Sequence, residues 1–128
     1  MLRKIASLIF LLTAIVIALG AFGHDSQAVR LAGELGKSPL AERDAKIILL
    51  VWHFTSGCMF VLGAICAWVW WRGRRGERSA FAVSDLIGVF YVVAGPLSVW
   101  YSGVAFFWLF LALGLLLILA SLPLRGAA

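Results

Sequence analysis

The chain has 128 residues, 63% of them hydrophobic and 13% charged, with a mean hydropathy of +1.03. Water-soluble domains carry roughly 45–50% apolar residues, so this composition excludes an ordinary soluble fold, and its length suits one domain spanning residues 1–128. The net charge of +5 does not mark a nucleic-acid binder, because the basic residues stand at the ends of apolar runs rather than among aromatics on a polar surface.

The first apolar run, Ile5 to Gly23, is long enough for a helix rising 1.5 Å per residue to cross roughly 30 Å of hydrocarbon. Arg3 and Lys4 precede it, and Ala21-Phe22-Gly23 resembles a small-residue cleavage site. The run nevertheless exceeds the roughly 7–15 apolar residues of a signal peptide, so a retained helix is expected. Cleavage would instead leave His24 as a new N-terminus able to chelate copper.

His24 to Lys46 is the one sizeable polar segment, expected outside the membrane on the periplasmic side. Asp25 or Ser26 can cap a short helix through Leu35, with Gly36 closing it in the left-handed conformation. Ser38-Pro39 reads as an N-cap and first helical residue, so the second helix can begin ahead of its apolar part. That second apolar run, Ile47 to Trp71, leads into an arginine knot, Arg72 to Arg78, where Gly73 and Gly76 should break the helix. Phe81 to Trp100 and Val104 to Leu122 complete four spans. Pro96 should kink or end the third near the outer face, and Gly103 should turn the chain into the fourth. The fold class that follows is an all-α membrane protein, an antiparallel bundle of four transmembrane helices.

Charge placement orients the bundle. Arg3, Lys4, Arg72, Arg74, Arg75, Arg78 and Arg125 share one side if the helices alternate, while Arg30, Lys37, Arg43 and Lys46 on the other are balanced by Asp25, Glu34, Glu42 and Asp44. An excess of Lys and Arg marks the cytoplasmic face, so both termini are expected inside, in a bacterial inner membrane. Trp68, Trp70 and Trp71 would form an inner aromatic belt, and Trp52, Trp100 and Tyr101 an outer one.

Helices in lipid associate through close packing, so small residues mark the seams. The expected stripes are Ala14, Ala18 and Ala21 on the first helix, Gly57, Ala64 and Ala67 on the second, and Ser84, Gly88 and Gly95 on the third. The fourth, mostly Leu, Phe and Ile, should face more lipid. Cys58 and Cys66 lie eight residues apart on one helix, about 12 Å in rise and beyond disulfide reach, so they read as packing residues. No CxxC supports thiol redox chemistry or a thiolate zinc site. Phosphate loops, HExxH, nucleophile elbows and paired carboxylates are equally missing, so an enzyme is not expected.

Four residues could carry chemistry. His53 precedes Gly57 by four residues, and helical spacing puts both on one face, expected to point into the bundle. His24 closes the first helix at the same level, followed by Asp25. Two imidazoles and a carboxylate in one layer could hold a metal ion or relay protons; the alternative is that His53 hydrogen-bonds a neighbouring helix while His24 is solvated. Haem ligation by both histidines is a lesser option. Asp85 is the acidic residue inside a span, either a proton-carrying carboxylate or a first-turn Asp paired with Arg78 or another arginine of the knot. His53 and Asp85 lie toward opposite faces and should not share a site. Thr55 and Ser56 should return their hydroxyls to their own helix; Tyr91 and Thr13 could bond across helices.

Gly23-His24, then Leu35-Gly36 and Pro39-Leu40, then Val51-Trp52-His53-Phe54-Thr55-Ser56 resemble a family of uncharacterised small bacterial four-helix integral membrane proteins. There a histidine closes the first helix and Trp-His-x-x-Ser opens the second. The resemblance covers roughly residues 20 to 60. It implies fold and location without an activity, and it implies that His24 belongs with Trp52-His53. The loop here lacks the acidic residue that follows Leu-Gly in the family pattern. The expected function is a binding or accessory membrane protein, with His24, His53 and Asp25 holding a metal or a partner. Alternatives are a proton-linked transporter built from more than one copy, and a quinone- or haem-binding protein. The expected surroundings are the lipid bilayer and a second copy or a membrane-complex partner.

Overall fold

The computed structural model describes residues 1–126, so the last two residues of the single-domain assignment lie outside the described residues. Five α-helices follow in order: α1 Leu2–Ser26, α2 Ala28–Leu35, α3 Glu42–Arg74, α4 Phe81–Ser102 and α5 Trp108–Arg125. Short 3₁₀ turns, Arg78–Ala80 and Ala105–Phe107, lead into α4 and α5. The helical segments containing α1, α3, α4 and α5 are long and apolar enough to cross a membrane.

The helices overrun their apolar parts. α1 continues to Ser26, and α2 begins after Gln27 with no side-chain cap, so neither Asp25 nor Ser26 caps it. Gly36 stays right-handed at φ −64°. Ser38-Pro39-Leu40 forms a turn in which the Ser38 hydroxyl donates to the Leu35 carbonyl at 2.7 Å, and α3 starts only at Glu42. At the arginine knot α3 passes through Gly73; the chain reverses at Gly76, whose φ of +96° suits glycine. α4 runs through Pro96 without ending there, and Gly103 at φ +70° closes it.

In the bundle α1 lies between α3 and α5, and α4 packs chiefly on α5. The common core gathers Phe10, Ile17, Cys66, Val69, Tyr91 and Leu117, with Phe10 set edge-on to Phe81 at 5.3 Å between ring centroids. The expected stripes on α1 and α4 are at seams: Ala14, Ala21, Ser84, Gly88 and Gly95 are buried. One expectation is overturned. On α3, Gly57 and Ala64 are exposed, and the buried stripe is Ser56, Gly63, Cys66 and Val69. The last helix is less covered than α1 and α4 but more than α3, and it has a close seam of its own. Gly114 of α5 lies against the Gly88 carbonyl and Val92 of α4, and Leu117 and Ser121 are fully buried. One glycine therefore admits the α4 backbone despite the bulk of its neighbours. The least covered apolar stretch belongs to α3, 11% buried against 28–33% in the other spans.

α3 touches α4 less than α1 does α3, leaving an apolar groove between α3 and α4 lined by Phe54, Gly57, Val61, Leu86 and Phe90.

Candidate functional site

The polar side chains collect at the two ends of the bundle, with apolar helix between. At the loop end, the overrun of α1 brings His24 and Asp25 alongside residues 52–56 of α3. The His24 ring stacks on Trp52 with centroids 4.1 Å apart and planes 14° from parallel. Trp52 Nε1–H donates to the His24 carbonyl at 2.9 Å, and His24 Nδ1 pairs with Ser56 Oγ at 2.8 Å. Ser56 also donates to the Trp52 carbonyl at 3.2 Å, as expected of a serine in an apolar helix, so its hydroxyl joins two helices. Thr55 bonds only its own helix, to the Val51 carbonyl at 2.8 Å. This clamp ties the C-terminal end of α1 to α3.

Beside the clamp, His53 Nδ1 meets Asp25 Oδ1 at 2.6 Å, with side chains 55% and 45% exposed. His53 thus faces outward rather than into the bundle, because the buried stripe runs through Ser56 and Gly63 and not through Gly57. Both His24 and Asp25 stand beyond the apolar run that ends at Gly23. Partial burial against Trp52 and Ser56 lowers the His24 pKa, opposed by the charge of Asp25. The hydrogen bond from His53 holds the Asp25 carboxyl below its ordinary range.

The three residues proposed to share a ligand are therefore neighbours with different partners: His53 joins Asp25, while His24 joins Ser56 and Trp52. Among the described residues no group of three or more His, Cys, Asp or Glu is placed to hold a metal ion. What the site offers is one imidazole oriented by a carboxylate. Its Nδ1–H donates to Asp25, which leaves Nε2 as an outward acceptor.

At the termini end, Asp85 pairs with Arg125 of α5, not with Arg78. Ser121 donates to Asp85 Oδ1 at 2.7 Å, and Arg125 Nη2 reaches the Phe81 carbonyl at 3.3 Å. Arg78 instead donates to the Gly126 carbonyl at 3.0 Å. The tight α4–α5 contact at Gly88 and Gly114 brings these helices together, so the nearest cation to Asp85 comes from a distant part of the sequence. His53 and Asp85 belong to separate clusters, as expected.

Ser56, Ser121 and Arg125 escaped the sequence reading as site residues, whereas Trp52 entered it beside His24 through the resemblance, and the two do meet. Ser56 stands four residues after Trp52, and that spacing could have marked it as a neighbour. Ser121 and Arg125 become partners of Asp85 only through packing. Thr13 donates to the Ile9 carbonyl of its own helix rather than across helices, and Tyr91 packs edge-on to Phe110. Cys58 and Cys66 are free thiols.

No family model, curated protein or solved structure matches the chain.

Proposed function

We propose that this chain is a small multi-pass protein of the bacterial inner membrane, with both termini cytoplasmic, that acts as a binding or accessory component through the His53–Asp25 pair on its periplasmic face. The observation that carries this reading is the pair itself. A carboxylate 2.6 Å from Nδ1 orients an exposed imidazole, while the His24–Trp52–Ser56 clamp holds the two helices that present it. A carboxylate in this position is the usual second partner of a histidine that binds through Nε2. This chain supplies His53 as the ligand or hydrogen-bond acceptor; a metal ion there would complete its coordination with groups from a partner protein or a second copy.

Asp85, the other candidate group for proton-linked transport, has its carboxylate taken up by Arg125 and Ser121 rather than open to a ligand.

Metal content and native size in mild detergent, compared between wild type and His53→Ala, test the proposal. A metal near stoichiometric, or a complex larger than one chain, that is lost in the variant supports it. Identical metal content and size in both proteins would overturn it.

A further inference from the structure

A second site stands at the other end of the bundle, independent of the His53–Asp25 reading. A cleft of about 550 Å³ opens where the start of α1, the end of α3 and the start of α4 meet. Its rim carries Arg3, Lys4, Arg74 and Arg78, and its floor includes Trp70 and Phe81. Among the described residues no carboxylate lines it. The acids of this end are committed elsewhere, Glu77 to Arg72 and Asp85 to Arg125. Lys4 and Arg74 form no salt bridge among the described residues. Arg3 and Arg78 spend one or two donors on carbonyls of the last turn, the Pro123 oxygen at 3.1 Å and the Gly126 oxygen at 3.0 Å among them. A guanidinium has five N–H donors, so others remain.

Two further features shape the cleft for a ligand. Ser7 accepts the Trp70 indole N–H at 2.8 Å, which leaves its own O–H to donate. Arg74 lies over the Trp70 ring, 5.1 Å from its centroid, which holds the guanidinium at the rim. A cationic rim with a hydroxyl donor above an apolar, aromatic floor suits an amphiphile with a phosphate head. Basic pockets between membrane helices bind such heads.

We propose that this cleft binds the phosphate headgroup of an anionic phospholipid, with the phosphate among Lys4, Arg74 and Ser7 and the chains descending past Phe81.

Native mass spectrometry of the full chain in mild detergent tests this by titration with phosphatidylglycerol and with phosphatidylcholine of the same chain length. Tighter retention of phosphatidylglycerol is expected, with its apparent affinity falling on the order of 20-fold in the Lys4→Gln/Arg74→Gln variant. The Lys4→Arg/Arg74→Lys variant should keep the preference, which separates charge from packing. Equal retention of both lipids would overturn the proposal, as would an undiminished preference in a Gln variant of wild-type helicity. Displacement of the lipid by excess inorganic phosphate would assign the cleft to a free anion and overturn the lipid assignment.

Discussion

Individual side chains divide into those that hold helices together and those that face outward. His24 belongs to the first group. Its folded-state pKa is lowered by burial, so its contribution to the clamp is complete above the ordinary histidine value of 6.5 and is lost as pH falls through the lowered value. Acidification below neutrality is therefore expected to lower the thermal midpoint, followed by near-ultraviolet circular dichroism of the stacked Trp52. His24→Gln should remove that pH dependence. Asp25 is depressed by the His53 hydrogen bond, and its contribution is present above 3.8 and lost below it. Asp85 is a different case. Replacing it with Asn leaves Arg125 without its counter-charge, and the Arg125 Nε is already buried with no partner. A loss of about 1–3 kcal/mol is expected, measured by unfolding in mild detergent. Asp85 and His53 stood out in the sequence because polar groups in an apolar run need partners, and His24 because it follows the end of one. Their partners did not stand out, since Arg125 is forty residues from Asp85 along the chain and arrives only through the fold.

At the level of elements, the glycines decide which helix faces meet. A Cβ at Gly63 would sit 2.4 Å from the Ala18 backbone nitrogen, whereas one at Gly57 meets nothing within 4 Å. Gly63→Ala is expected to cost about 1–3 kcal/mol by forcing α1 and α3 apart, and Gly57→Ala to change stability by less than about 0.5 kcal/mol. Comparing the two in one detergent unfolding series checks the seam assignment directly. Both glycines lie on the same helix among similar apolar residues, so spacing alone favoured the wrong one. The end of α3 carries a second device. Arg72, Arg74 and Arg75 each lie over the tryptophan four residues earlier, Trp68, Trp70 and Trp71, at 5.0, 5.1 and 4.1 Å. The sequence held this pattern as i, i+4 spacing, where side chains on one helix face meet. These pairs join the aromatic belt to the arginine knot and place charge at the helix end where cations are favoured.

For the molecule as a whole, the two polar clusters at opposite ends and the apolar surface between them match a bilayer-spanning object. On the proposed topology the cation excess at the termini end faces the cytoplasm. A membrane-impermeant maleimide applied to intact cells is therefore expected to label Gln27→Cys in the α1–α2 connection and not Ser79→Cys in the α3–α4 connection. The reverse pattern would invert the topology. α3, the least covered of the four long apolar helices, and its groove with α4 offer an apolar face for lipid or another helix.

Composition and run length were sufficient to read an all-helical chain with four helices long and apolar enough to cross a membrane, because a bilayer imposes one length scale and forbids unpaired backbone. Turn positions such as Gly103 were readable for the same local reason. Which face of α3 is buried, which arginine meets Asp85, and whether His53 points in or out depended on packing. In lipid these choices rest on close approach at a few small residues rather than on an apolar stripe, and almost every face of these helices is apolar. The sequence thus named His53 and Asp85 as residues of interest, and the contacts Ala18–Gly63 and Gly88–Gly114 chose the surroundings in which each would work.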